Sequence, residues 1–274
     1  MLSSLLTIPE AILLGIVEGL TEFLPISSTG HLLIVGELIG FGTGTSQSAA
    51  DTYSVAIQLG AILAVVVLYR TRILSMMSGA VGRDKNGRAA LVSLVVAFVP
   101  AAVVGVIGGD AIKDALFGPI PVAIAWAVGG VVLVVWTPRA ATGSLHEMTL
   151  RSALLIGCAQ TVALWPGVSR SLVTLLAGLA VGLSLAAAVE FSFLLGLVTL
   201  SAATSLDLAR HGGDVVDQFG VASPVLGAVV AFVTAIVAVK WMVGYLGSRS
   251  LVIFGWYRLV VAAIAAVLLL TGTL

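Results

Sequence analysis

The sequence predicts an all-α polytopic membrane protein with six spanning helices plus two re-entrant helical hairpins, arranged as an inverted repeat. Three observations lead there: an apolar composition, two short apolar stretches each interrupted by proline, and a weak self-similarity between the halves of the chain. Of 274 residues, 59% are hydrophobic and 9% charged, and mean hydropathy is +1.18. Soluble domains carry roughly 25% charged residues, so the chain reads as an integral membrane protein. A net charge of zero argues against a nucleic-acid partner. The single Cys158 excludes a disulfide framework within the chain. With no basic segment ahead of its first apolar run, the N-terminus reads as mature protein rather than a cleaved signal.

Windows of about 20 apolar residues mark spanning helices. Six are found, at roughly 52–70, 89–108, 119–137, 186–206, 221–243 and 251–272. Four shorter pieces remain, at about 8–24, 27–40, 152–165 and 168–182, and they form two pairs broken at Pro25 and Pro166. Short, interrupted hydrophobic segments at matching places in two halves point to hairpins around a midplane site.

A shift of 142 residues sets Gly15 on Gly157, Glu18 on Gln160, Ser27 on Ser169, Ser28 on Arg170 and Gly36 on Gly178. Repeat 1 then runs from about 8 to 137 and repeat 2 from about 152 to 272, within a single transmembrane domain. Each repeat holds one hairpin and three spans; three is odd, so the second copy enters inverted. Loop charges set the orientation. Arg70, Arg72, Arg83, Lys85, Arg88, Arg139, Arg151, Lys240 and Arg249 fall on one side, against Lys113 and Arg210 on the other. The basic side faces the cytoplasm by the positive-inside bias, which turns the mouth of the first hairpin outward.

The richest polar stretch is Glu18-Gly-Leu-Thr-Glu22-Phe-Leu-Pro25-Ile-Ser27-Ser28-Thr29-Gly-His31. Glu18 and Glu22, four apart, share one helix face. Pro25 stops that helix, and Ser27, Ser28 or Thr29 can cap a second helix that carries His31. Ionisable groups in such surroundings are a functional-site hypothesis by default. The second constellation runs from Gln160 to Thr174 through Pro166-Gly167-Val168-Ser169-Arg170-Ser171. Arg170 at a helix start, with free N–H groups and the positive end of the helix dipole, makes an anion site. Brought together, Arg170 and backbone N–H groups would hold a phosphate, and Glu18 and Glu22 a divalent cation, Mg²⁺ or Ca²⁺. A serine and His31 would attack and shuttle protons.

These two stretches resemble the signature motifs of the bacterial undecaprenyl-pyrophosphate phosphatase family, the bacitracin-resistance type. Segments at 57–65 and 190–195, and Tyr257-Arg258, are similar as well, so the resemblance spans essentially the whole chain. It implies a metal-dependent enzyme of the bacterial cell membrane. The reaction implied is removal of the terminal phosphate of the C55 polyprenyl diphosphate, which regenerates the lipid carrier for wall polymers, with the site open to the outer face. By motif position it puts the acidic pair on Glu18 and Glu22, the histidine on His31, the phosphate-binding arginine on Arg170 and the nucleophile on Ser28. Ser27, Thr29, Ser169, Ser171 and Thr174 are the expected substrate contacts. Two departures stand out: Leu172 replaces the glycine usual after Ser-Arg-Ser, and Gly196–Thr199 lacks the usual proline.

Plainer readings stand beside these. The serines can simply cap a helix, His31 can be a packing residue, and Arg170 can neutralise a glutamate. A metal-bound water can replace Ser28 as nucleophile. Asp51 and Glu190 read as favouring helix N-termini. The membrane and a polyprenyl diphosphate are the expected partners, with homodimerisation left open. A lipid-phosphate transporter is the alternative function, because inverted repeats with broken helices also serve transport.

Overall fold

The computed structural model describes residues 6–41, 47–136 and 141–274. Arg139, counted on the basic side, and Thr137, the end of the third expected span, lie outside the described residues. Among those residues the chain is helical with no strand, apart from an isolated bridge between Gly143 and Leu183. Eleven α-helices follow in order: α1 Ile8–Thr21, α2 Ser28–Ile39, α3 Gln47–Leu68, α4 Arg70–Ala80, α5 Lys85–Leu116 and α6 Pro119–Val135, then α7 Leu150–Gln160, α8 Arg170–Ala180, α9 Leu185–Phe219, α10 Ala222–Leu246 and α11 Val252–Leu270.

Local sequence explains the boundaries. Thr7 and Glu10 close a capping box on α1. Asp84 accepts from the Gly87 N–H at 2.9 Å to start α5, and Pro119 occupies the first turn of α6, where its missing N–H is harmless. Five helices, α3, α5, α9, α10 and α11, are long and apolar enough to cross a membrane. The sixth expected span, α6, is apolar but has 17 residues. At a 1.5 Å rise this gives a length of about 26 Å, the short end of the spanning range. Two expected spans prove longer than their apolar windows: α5 and α9 run on into polar turns that carry Asp110, Lys113 and Asp114, and Asp207, Arg210, Asp214 and Asp217.

Helix α4 is too polar to register as an apolar window. Arg70 and Arg72 open it, it packs on α5, and it leaves Leu74 and Met77 exposed. Arg72 pairs with Glu190 of α9 at 2.6 Å, whereas Lys113 pairs with Asp51. Both acids answer a cation from another helix, and both sit beyond the first turn where a helix-terminus role was expected of them.

The two proline-interrupted segments fold alike. Helix α1 packs on α10 and α7 on α5, with closest approach at glycines 142 residues apart. A Cβ on Gly15 would lie 2.5 Å from the Gly227 carbonyl oxygen, and one on Gly157 would lie 2.4 Å from that of Ala97. The break between α1 and α2 spans residues 22–27, and that between α7 and α8 includes a 3₁₀ turn, Thr161–Leu164. Helices α3 and α9 pack together and supply Gln58 and Thr199 to the space between the breaks.

Candidate active site

Each break ends in a serine with left-handed φ. Ser27 (φ 73°) and Ser169 (φ 76°) are the only non-glycine residues with positive φ among those described. Such a conformation costs on the order of 1–3 kcal/mol and persists only where its surroundings over-determine it. Here they do. Ser27 Oγ caps Gly30 N at 3.4 Å and accepts from Gly167 N, across in the other break, at 3.2 Å. Ser169 Oγ caps Leu172 N at 3.3 Å and shares a hydrogen bond with Ser171 Oγ at 2.9 Å, while Ser171 Oγ also donates to the Leu24 carbonyl at 2.8 Å. The two breaks are thus stitched together crosswise, with the first turns of α2 and α8 meeting at one place.

At that meeting point lies a cavity of about 180 Å³. Glu22, Ser28, Thr29, Gln58, Gln160 and Arg170 line it, with Ser27, Ser169 and Trp165 also on its wall. Ser28 Oγ donates to Glu22 Oε2, to which Gln58 Nε2 also donates at 3.4 Å. The other oxygen, Oε1, accepts from Arg170 Nη2 at 2.9 Å. Arg170 Nη1 donates to the Ser192 carbonyl at 2.8 Å, and the guanidinium sits 5.5 Å over the Phe23 ring. Two donors here are buried without a partner: Arg170 Nε and Gln160 Nε2. With the N–H groups at the starts of α2 and α8 that the serine caps leave over, they make a concave site short of acceptors, which suits an anion rich in oxygens.

The structure sorts the residues singled out from sequence. Glu22, Ser27, Ser28, Thr29, Ser169 and Arg170 come together at the cavity as expected. Glu18 does not line the cavity; it is fully buried and lies against Gln58 and Glu22. Ser171 and Thr174, expected on the substrate, do not line the cavity. Ser171 is committed to Leu24 and Ser169, and Thr174 Oγ1 to the Arg170 carbonyl at 2.8 Å and Ser192 Oγ at 2.7 Å. Both hydroxyls brace α8.

His31 also faces elsewhere. Its Nδ1 lies 2.6 Å from the Ser27 carbonyl, which can only accept, so Nδ1 carries the proton. Its Nε2 then accepts from the Tyr257 hydroxyl at 2.9 Å. His31 therefore does not pair with Ser28; the Glu22 carboxylate stands in that place. Leu172, the departure from the usual glycine, is 3% exposed and packs in the apolar core, away from the cavity.

Two residues not singled out from sequence belong to the site: Gln58 on the cavity wall and Gly196 against Arg170. Gln58 left a signal, as a lone amide in an apolar span. Gly196 left none among 31 glycines, yet a Cβ there would lie 2.1 Å from Arg170 Nη1. Gly196→Ala is expected to push the guanidinium off Glu22 and lower kcat/KM about 10²-fold, the usual penalty for a misplacement near 1 Å. Steady-state kinetics on the purified variant checks this.

Glu18 and Glu22 are the carboxylates here that could hold a hard divalent cation, since carboxylate oxygens are its usual ligands. Among the described residues no group of three His, Cys, Asp or Glu side chains gathers as a metal cluster, so any such ion would draw further ligands from the substrate or solvent.

Comparison with known proteins places the chain among membrane enzymes. Residues 11–264 match the family described as bacitracin resistance protein BacA. The chain is 44% identical over 262 residues to an undecaprenyl-diphosphatase of Sorangium cellulosum, covering 93% of this chain and 84% of that protein. It is 42% identical over 255 residues to undecaprenyl-diphosphatase 1 of Chromobacterium violaceum, covering 91% and 92%. To undecaprenyl-diphosphatase 2 of Rhodospirillum rubrum it is 44% identical over 258 residues, covering 91% and 90%.

Proposed function

Because the chain belongs to the bacitracin resistance protein BacA family, we propose that it is an integral-membrane phosphatase. It hydrolyses undecaprenyl diphosphate to undecaprenyl phosphate and inorganic phosphate, recycling the lipid carrier for wall synthesis. One observation carries the chemistry: Ser28 Oγ donates to a carboxylate whose other oxygen holds Arg170. A carrier that only bound the phosphate would have no use for a hydroxyl aimed at a base.

The terminal phosphate enters the cavity and takes up Arg170 and the first-turn N–H groups of α2 and α8. Those donors stabilise charge on the transferring group, the main need of phosphoryl transfer. Glu22 accepts the Ser28 proton as Oγ attacks phosphorus. The bond from phosphorus to the bridging oxygen breaks, and undecaprenyl phosphate leaves with its charge. Glu22 gives its proton up to solvent; it then takes a proton from the water that attacks the phosphoserine and returns it to Ser28 Oγ as inorganic phosphate leaves. Glu18 and Glu22 would hold Mg²⁺ or Ca²⁺, which supplies Lewis-acid neutralisation of phosphate charge when bound. His31 holds the Ser27 backbone, and with it the start of α2.

The arrangement in the membrane is part of the same reading. Helices α3, α5, α6, α9, α10 and α11 span, and the segments of α1–α2 and α7–α8 enter as hairpins from opposite faces, in two inverted repeats over about 8–137 and 152–272. Support comes from the matched left-handed serines and from the exchanged packing of α1 on α10 and α7 on α5. The excess of Lys and Arg on one side favours a site open to the outer face of the bacterial plasma membrane.

The test is phosphate release from C55 isoprenyl diphosphate by detergent-purified protein, with EDTA and then with Mg²⁺ or Ca²⁺ restored. Multiple turnovers that stop in EDTA and return with metal are expected. Acid-quenched reactions should carry phosphate on the peptide containing Ser28. Metal-independent turnover would remove the cation from the scheme, and an absence of label with turnover intact would give the attack to water.

A further inference from the structure

Among the described residues, Arg258 in α11 is the largest side chain with no exposed surface. Among the described residues no carboxylate pairs with it. Its hydrogen bonds go to three backbone carbonyls instead: Nη2 donates to Ala125 and to Gly167, both at 2.8 Å, and Nη1 donates to Pro25 at 3.3 Å. These acceptors belong to three separate pieces of chain. Pro25 lies in the break that leads to Ser28, Gly167 in the break that leads to Arg170, and Ala125 in α6. Burying a guanidinium without a counter-ion is expensive, so a role confined to filling space would be better served by an apolar side chain.

The surroundings are shaped to keep it there. A Cβ on Gly129 would lie 2.3 Å from Arg258 Nη2 and 2.7 Å from Cζ, so α6 carries a bare backbone where the guanidinium lies flat. The preceding residue, Tyr257, bonds His31, which bonds the Ser27 carbonyl. Two consecutive residues of α11 thus grip both helix breaks. Only a planar fork of fixed geometry can donate to both breaks at once; a lysine ammonium is a point charge with tetrahedral donors and cannot hold the two at a set separation.

We propose that Arg258 is a positioning residue for the phosphatase reaction. By tying Pro25 to Gly167 it fixes the Ser28–Glu22 pair of one half against Arg170 of the other, so that both address the same phosphorus. This rests on the phosphatase reading above. It makes α11, which lines no part of the cavity, a determinant of kcat. Because the guanidinium touches neither substrate nor reacting atoms, its loss acts on geometry in the transition state and leaves ground-state binding nearly intact.

The experiment compares wild type, Arg258→Lys, Gly129→Ala and the double variant, each purified in detergent, for kcat, KM and thermal unfolding. Arg258→Lys is expected to lower kcat about 10²-fold with KM within about threefold, in line with the cost of a near-ångström misplacement of reacting groups. Gly129→Ala, which keeps the charge but displaces the guanidinium, should give a loss of the same kind. The double variant should be no worse than the poorer single variant, since both changes act through one group. Arg258→Lys with wild-type kcat, or losses that multiply in the double variant, would overturn the proposal; so would variants whose only change is a lower unfolding temperature. Should Arg258→Lys fail to fold, Gly129→Ala decides alone: a kcat below one tenth of wild type supports positioning, and an unchanged kcat refutes it. Turnover by the wild-type protein in the same assay reports on the phosphatase reading itself, so the two cannot be confused.

Discussion

Glu22→Gln is expected to lower kcat for phosphate release about 10⁴-fold, at the upper end of what a positioned general base supplies. The carboxylate is 7% exposed and meets three donors: Ser28 Oγ, Gln58 Nε2 and Arg170 Nη2. Glutamine keeps the shape and one acceptor oxygen but cannot take the Ser28 proton. It also leaves Arg170 without its counter-charge, and breaking a buried pair in this way costs about 3–5 kcal/mol of stability in the empty protein. An incoming diphosphate relieves that deficit. KM should therefore stay level or fall while kcat collapses, and this split separates a lost base from a lost binding group. Kinetics over a substrate series, with thermal unfolding in parallel, measures both.

The second large effect belongs to Arg170. Arg170→Lys should lower kcat/KM about 10³-fold, the scale on which an arginine contributes to phosphoryl transfer. Its side chain serves Glu22 through Nη2 and the Ser192 carbonyl through Nη1, leaving Nε free beside the cavity. A lysine can satisfy one of these directions at a time. The missing volume opens beside Gly196, where there is no side chain to fill it. Here kcat and KM should both worsen, in contrast to Glu22→Gln, because Arg170 meets the phosphate in the ground state and in the transition state alike. Near wild-type release by Arg170→Lys would exclude the arrangement proposed above.

Much of this was legible in the sequence, for a physical reason. A bilayer forces long apolar windows and makes every retained charge conspicuous, so the spans at α3, α10 and α11 and the cluster of Glu22, Ser28 and Arg170 stand out. Helix α4 did not, because its 11 residues are too polar to register as a span and carry no signal that separates an amphipathic helix from a loop. The extensions of α5 and α9 were hidden likewise, since helix can continue where hydropathy has already ended. Within the site, residue type was readable but partnership was not. Spacing placed Ser28 and His31 one turn apart and suggested they act together. The left-handed Ser27 instead turns the helix so that Ser28 meets Glu22 while His31 meets Tyr257, 226 positions away. Ser171 and Thr174 look like phosphate ligands by type, yet the crossing of the two breaks consumes their hydroxyls.

The modest size of the cavity bears on which lipids the protein serves. About 180 Å³ is too small to take in a fifty-five-carbon tail together with a diphosphate. A site that holds only the headgroup is expected to recognise the anhydride and not to measure the chain attached to it. Discrimination between long and short prenyl diphosphates falls to the bilayer: each additional buried methylene favours the membrane by about 0.8 kcal/mol, and a headgroup has to be anchored at the right level to be presented at all. In detergent, where that anchoring is relaxed, farnesyl and undecaprenyl diphosphates should be turned over with similar kcat. In vesicles the shorter chain should fall behind through partitioning alone.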